Sequence, residues 1–365
     1  MPSDASRSSI ALRGPDARYG TGAGASSPFP AFRPRLPWLG ADLQTLRDVL
    51  VPGRDPHAPA STRILEFPMP DDTGDRLSGI LEQPRSPAGQ PLALLVHGLT
   101  GCADSRYVRR AAGRLLAAGF SVLRLNLRGA GPCRATCRQQ YHSGRSQDLD
   151  AVLAQLPAEL SADGLVLAGW SLGANMLLKG LAEFGERYPI RAAVAVSAPI
   201  HLAAAAARLG HARNRAYHGW LLARMKAEAL AAPGPLSDAA RHMLARIRRI
   251  AEFDDAFTAP DNGFADAADY YARCSAIRFL PSITVPTLVI HALDDPWIPG
   301  DVYRAYDWAG NPRLTPLLPR HGGHVGFHAP GGRVWSDDCM MTYLERLLQD
   351  GAQPALSRWA TSTAK

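Results

Sequence analysis

Gly169-Trp170-Ser171-Leu172-Gly173 sets a serine between two glycines, where the apolar stretch from Leu165 meets a second one running from Leu172 to Phe184. A serine held on a strained strand-to-helix turn projects its hydroxyl above a sheet, and the residues two before and two after it must be tiny to avoid collision. The pattern is that of a nucleophile elbow, with Ser171 as candidate nucleophile. The Leu172 N–H would open the helix, where unpaired donors and the helix dipole favour a developing oxyanion. Taken alone, the five residues are equally a Ser/Gly turn; the apolar runs on either side favour the elbow. A serine nucleophile also needs a base and an acid that orients the base. Val285 to Ile290 opens into His291-Ala292-Leu293-Asp294-Asp295-Pro296, and Leu314 to Leu318 is followed by His321, His324 and His328. Separately, the aspartates read as a solvated turn and the histidines as a surface loop or metal cluster. In the order Ser, Asp, His after successive apolar runs, they read as a catalytic set.

The elements that must position these residues show in the hydrophobic pattern. Ile64 to Phe67 and Leu77 to Leu81 bracket the turn Asp71-Asp72-Thr73-Gly74-Asp75, a hairpin expected to supply the first, antiparallel strands. Leu92 to Val96 is unbrokenly apolar, as in a strand covered on both faces, and leads into His97-Gly98-Leu99-Thr100-Gly101. Helix from Tyr107 to Gly119, strand from Phe120 to Leu127, helix from Ser146 to Leu156 and a strand from Ala192 to Ser197 complete an alternation that predicts right-handed crossovers and a mostly parallel sheet flanked by helices. In such a sheet the loop after the third strand carries the second oxyanion donor, here the N–H of Leu99. His97 reads as a structural imidazole bonded to backbone, and Asn126 and Arg128 as pins of the neighbouring loop.

Residues 201–282 break the alternation: they are helix-rich without a clear strand, which predicts a helical lid inserted between strands. Between 201 and 250, nine Lys and Arg face only Glu228 and Asp238, and an acidic run from Glu252 to Asp269 follows. Such helices could rest on an anionic membrane surface, or pair with the acidic run and face water. Phe29 to Leu50, with Trp38-Leu39 and an amphipathic turn of Leu43, Leu46, Val49 and Leu50, reads as an extension clasping the domain.

With 365 residues, 46% hydrophobic and 20% charged, the composition is that of a globular protein able to bury a large core. The net charge of +7 comes without aromatic interleaving or a reader motif, so nucleic acid is not an expected partner. Five scattered cysteines fit reduced thiols and a cytoplasmic location better than a disulfide framework, and Cys133, Cys137 and His142 lack a second pair at zinc-ligand spacing. Residues 1–28 read as a disordered tail, 29–350 as the domain and 351–365 as a C-terminal tail.

Taken together, Trp38-Leu39, Leu43-Gln44-Thr45-Leu46, His97-Gly98-Leu99-Thr100-Gly101, Asn126-Leu127-Arg128-Gly129, Gly169 to Asn175, Phe253-Asp254-Asp255, Thr258-Ala259-Pro260, Tyr270-Tyr271, Asp294-Asp295-Pro296 and Gly322 to Phe327 resemble the YheT-like branch of the α/β-hydrolase superfamily. The resemblance spans roughly residues 29–350. It implies an α/β-hydrolase fold and a serine hydrolase of short- to medium-chain or lipid esters, with a triad at Ser171, Asp295 and His324 and no metal or organic cofactor. Pro299 and Ala292 also give Asp295, rather than Asp294, the register of a triad acid. The same parts would serve a thioesterase or peptidase, or a lipid-binding protein that kept the fold without the chemistry. Acyl and alcohol specificity and oligomeric state have no signal in the sequence.

Overall fold

The computed structural model describes residues 28–51, 59–85, 89–234 and 236–349. Apart from Pro28, the tails expected at 1–28 and 351–365 lie outside them. Eight strands form one sheet: β1 (Ser61–Pro68), β2 (Arg76–Gln83), β3 (Leu92–Val96), β4 (Val122–Asn126), β5 (Leu165–Trp170), β6 (Ile190–Val196), β7 (Thr287–Ile290) and β8 (Leu314–Leu317). Their order across the sheet is β1-β2-β4-β3-β5-β6-β7-β8. β2 runs antiparallel to both neighbours, and every pairing from β4 to β8 is parallel.

The unbroken apolar strands are explained by cover on both faces. Leu94, Val96, Leu167 and Ala195 pack with Leu149, Met176 and Leu177 of helices Ser146–Ala154 and Leu172–Phe184. Ala93, Leu95, Val166 and Val194 pack on the other side with Val108 and Leu115 of helix Arg106–Ala117 and Met340 and Leu344 of helix Trp335–Gln349. Because successive strand side chains point to opposite faces, no position in the central strands can be polar without a partner. The polar side chains of β4 have partners: Glu82 and Asp104 hold the Arg124 guanidinium at 2.8 Å each, and Asn126 Oδ1 accepts the Ala103 N–H at 2.8 Å.

Behind the sheet edge, the buried guanidinium of Arg128 is held by Asp75 at 2.9 Å, Asp148 at 2.7 Å and Asp71 at 2.7 Å. It ties the β1–β2 turn to helix Ser146–Ala154. Removing one partner of a buried ion pair strands the others, which costs about 3–5 kcal/mol. Arg128→Met is therefore expected to lower unfolding stability by about that amount, measured by urea denaturation; a loss below about 1 kcal/mol would place the carboxylates in contact with solvent.

The insertion between β6 and β7 is helical, as expected, with helices Leu202–Leu209, Arg215–Leu230, Asp238–Arg246 and Ala267–Cys274 as its longest parts and a π-helical turn at Asp254–Thr258. Leu221, Met225, Leu244 and Phe253 form its own small core. Asn175, fully buried on the helix after β5, fastens it to the sheet domain: its Nδ2 donates to the carbonyls of Ser143 and Cys274, and its Oδ1 accepts the Ala276 N–H.

The N-terminal extension clasps the domain, but not as its amphipathic pattern suggested. In helix Ala41–Leu50, Leu43, Val49 and Leu50 are exposed and the buried side chain is Gln44. Hydrogen bonds seat this helix: Gln44 accepts the His328 N–H at 2.6 Å and donates to the His328 carbonyl at 3.1 Å. Pairing a buried backbone N–H and C=O removes the cost of leaving them unsatisfied, and that outweighs the burial of the leucines.

Candidate active site

Ser171 sits between β5 and its helix with φ 52° and ψ −124°, a strained conformation that costs on the order of 1–3 kcal/mol and persists where the surroundings dictate it. The glycines are dictated by contact. A Cβ on Gly169 would come 2.8 Å from the Gly173 carbonyl oxygen, and one on Gly173 would fall on the His97 carbonyl oxygen.

His324 lies in the loop after β8. Its Nδ1 donates to Asp295 Oδ2 at 2.8 Å, which leaves Nε2 as the acceptor of the Ser171 hydroxyl at 3.0 Å. The other Asp295 oxygen accepts the N–H groups of Trp297 and Ile298 at 2.8 and 3.1 Å. Burial pushes the Asp295 carboxyl up, but the charge and hydrogen bond of His324, then His291 and the Trp297 N–H, more than offset it and hold its pKa below the usual carboxylate value. Asp294 is placed differently: it accepts the Gly323 N–H at 3.0 Å and lies 3.2 Å from exposed His321. The structure thus brings Ser171, His324 and Asp295 into one line and leaves Asp294 beside it.

Several residues that local sequence patterns did not single out support this line. Thr45 Oγ1 accepts the His324 N–H at 2.8 Å. Trp297 stacks on the His324 ring, with centroids 4.3 Å apart. Ser197 Oγ accepts the Val325 N–H. Gln44 and Thr45 did belong to the motifs of the resemblance, which was the only signal for them; Trp297 and Ser197 had none.

The loop after β3 faces the elbow, with a Cβ on Gly98 only 3.0 Å from that of Ser171. Among the described residues, no acceptor takes the backbone N–H of Leu99 or of Leu172. His97 is fully buried and structural: its Nδ1 donates to the Gly98 carbonyl, so Nε2 accepts the Leu127 N–H, and burial lowers its pKa to about 4. His321, His324 and His328 do not assemble a metal cluster, nor does any other group among the described residues. All five cysteines are free thiols.

A cleft opens above Ser171 between the sheet domain and the insertion. Its lining is mixed: Leu202, Leu209, Leu221, Met225 and Phe253 are apolar, and Gln140, Glu228, Asp254 and Asn262 are polar. Burial pushes the Glu228 carboxyl up to about 7 and that of Asp254 to about 6.

Comparison with known proteins agrees with this architecture. Residues 91–329 match the model of the alpha/beta hydrolase fold family. The chain is 37% identical over 279 residues to YheT of Escherichia coli, an alignment covering 72% of this chain and 80% of that protein. It is 28% identical to the monoacylglycerol lipase of Saccharomyces cerevisiae over 70% of this chain and 59% of the yeast protein. The structure of the Pyrococcus furiosus esterase Pf2001 superposes with a TM-score of 0.53 at 19% identity, covering 78% of this chain and 90% of the esterase, a likeness of fold. The chain belongs to the alpha/beta hydrolase fold family. Within that family its place is in the YheT-like branch. No helix among the described residues is long and apolar enough to cross a membrane.

Proposed function

We propose that this chain, a carboxylic ester hydrolase, works through an acyl-enzyme on Ser171, with His324 as general base and acid, Asp295 as the orienting acid, and the N–H groups of Leu172 and Leu99 as oxyanion donors. The observation that carries this reading is the unbroken line of hydrogen bonds from Ser171 through His324 to Asp295 at the floor of a half-apolar cleft. His324 takes the serine proton as the oxygen attacks the ester carbonyl, and returns it to the leaving alcohol. Water, activated by the same imidazole, then releases the acid. The chemistry draws on side chains, backbone and water alone.

The apolar side chains of the lining suit a short- to medium-chain acyl group or a lipid ester, in keeping with the name of the yeast relative. Turnover should therefore be measured on matched ester, thioester and anilide substrates with one acyl chain. Preference for the ester is expected; preference for the thioester or anilide by tenfold or more in kcat/KM, about 1.4 kcal/mol, would reassign the leaving group.

Residues 201–282 act in this reading as a lid over the cleft, and its outer face meets an anionic lipid surface. Among the described residues, Glu252 is the one member of the acidic run that pairs with the basic stretch, through Arg249 at 2.8 Å; Arg213 pairs with Asp42 at 2.8 Å, and Trp220, Leu230 and Met243 are exposed. Each Lys or Arg near an anionic surface contributes about 1 kcal/mol, screened by salt. Co-sedimentation with anionic vesicles at low salt, lost at high salt and absent with neutral vesicles, is the expected result. Equal binding to both vesicle types, or to neither, would leave the lid as a cover only.

A further inference from the structure

The loop that carries Leu99 is a turn from Gly98 to Gly101, closed by the Gly101 N–H on the Gly98 carbonyl at 3.1 Å. Thr100 stands third in it with φ 56°, the left-handed region in which a β-branched residue is a genuine outlier. Such a conformation survives only where the surroundings over-determine it. Here they do so on both sides of the residue. The Thr100 N–H donates to the phenol oxygen of buried Tyr141 at 2.6 Å, and the Thr100 carbonyl accepts from the Arg224 guanidinium at 3.0 Å. Tyr141 is itself tied by its O–H to Glu228, at 3.4 Å. Arg224 and Glu228 lie one turn apart on helix Arg215–Leu230 of the insertion, and the Arg224 guanidinium lies over the half-exposed ring of Trp220, 5.2 Å from its centre.

In a turn of this kind the peptide between the two central residues can flip, which exchanges the directions of its N–H and C=O. Tyr141 blocks that flip by accepting the Thr100 N–H, and Arg224 fixes the carbonyl that follows. We propose that Tyr141 and Arg224 are positioning residues for the oxyanion loop: by fixing the peptides on both sides of Thr100 they hold the whole turn, and with it the Leu99 N–H of the preceding peptide, in the place from which Leu99 donates, so the site is competent only while the insertion helix is seated on the loop. The inference rests on Leu99 being an oxyanion donor. Because that hydrogen bond strengthens only as charge develops on the substrate oxygen, displacing the donor should lower kcat and leave KM nearly unchanged.

The test uses the full chain with Tyr141→Phe, Arg224→Met and Arg224→Lys, a soluble short-chain ester, a trifluoromethyl ketone that adds to the serine as an oxyanion, and the matching secondary alcohol, which fills the cleft without forming one. Tyr141→Phe is expected to lower kcat by about ten- to a hundredfold, as displacement of an oxyanion donor by about 1 Å can. Arg224→Met, at an exposed side chain, should give a smaller loss, and Arg224→Lys, which keeps a donor, should recover most of it. Ketone affinity should fall with kcat while alcohol affinity and KM hold. Unchanged kcat in both Tyr141→Phe and Arg224→Met, or equal losses for ketone and alcohol, would overturn the inference. If Tyr141→Phe does not fold, the Arg224 pair decides alone. Wild-type turnover that survives Ser171→Ala would instead overturn the parent reading, an outcome that these variants cannot imitate.

Discussion

Replacing Ser171 by alanine is expected to lower kcat for ester hydrolysis by about 10³-fold or more while leaving the fold intact. The oxygen it removes is the one that His324 Nε2 reaches at 3.0 Å, and no other described side chain takes its place in that line. The methyl group adds no volume, and Cβ is already accommodated against Gly98. The strained backbone at Ser171 is retained by Gly169 and Gly173 rather than by the hydroxyl, so stability should change little and relieved strain should not masquerade as lost chemistry. Steady-state turnover and thermal melting on the same preparation check both halves. Residual activity near that of the wild type would move the nucleophile elsewhere.

The second large effect separates the adjacent aspartates. Asp295→Asn keeps the shape of the side chain, but the hydrogen-bond code changes. An amide nitrogen facing His324 Nδ1 would favour the tautomer with its proton on Nε2, and that tautomer cannot accept the serine proton. A loss of about 10³- to 10⁴-fold in kcat is expected from the wrong tautomer and the missing negative charge. Asp294→Asn still offers an oxygen to the Gly323 N–H, and its other partner is the exposed His321. Exposed pairs contribute about 0–1 kcal/mol, so kcat should fall only by a small factor. Parallel kcat measurements on the two variants decide between them; the reverse order would make Asp294 the acid.

How much of this was legible in the sequence follows from how far each determinant reaches along the chain. The central strands were legible because cover on both faces leaves unbroken apolar runs such as Leu92 to Val96. The elbow was legible because steric exclusion around Ser171 acts two residues away in each direction and forces glycine. The placement of Asp295 at the end of β7 and of His324 after β8 followed from the same alternation of elements. Helix Ala41–Leu50 misled because its leucine spacing suggested a buried face, whereas long-range hydrogen bonds from Gln44 and Thr45 to the His324 loop govern its seat. Those contacts join residues about 280 positions apart and leave no local pattern. Tyr141 and Trp297 escaped for the same reason. A lone aromatic carries no periodic signal, and its role appears only when the Thr100 turn and the His324 ring are brought against it. The basic stretch was legible as composition but not as geometry: of its apolar residues, Leu221, Leu222, Met225, Leu244 and Ile247 point inward and Trp220 and Met243 outward.

The central claim is that Ser171 becomes covalently acylated with His324 as its base, and active-site labelling reaches it most directly. Wild-type protein is treated with a fluorophosphonate, its intact mass and peptide map are recorded, and the rate is compared in Ser171→Ala and His324→Ala. The expected result is one adduct per chain, mapped to Ser171, with turnover lost in proportion to labelling, no adduct in Ser171→Ala and strongly slowed labelling in His324→Ala. An adduct on another residue, or full activity in protein labelled at Ser171, would contradict the account.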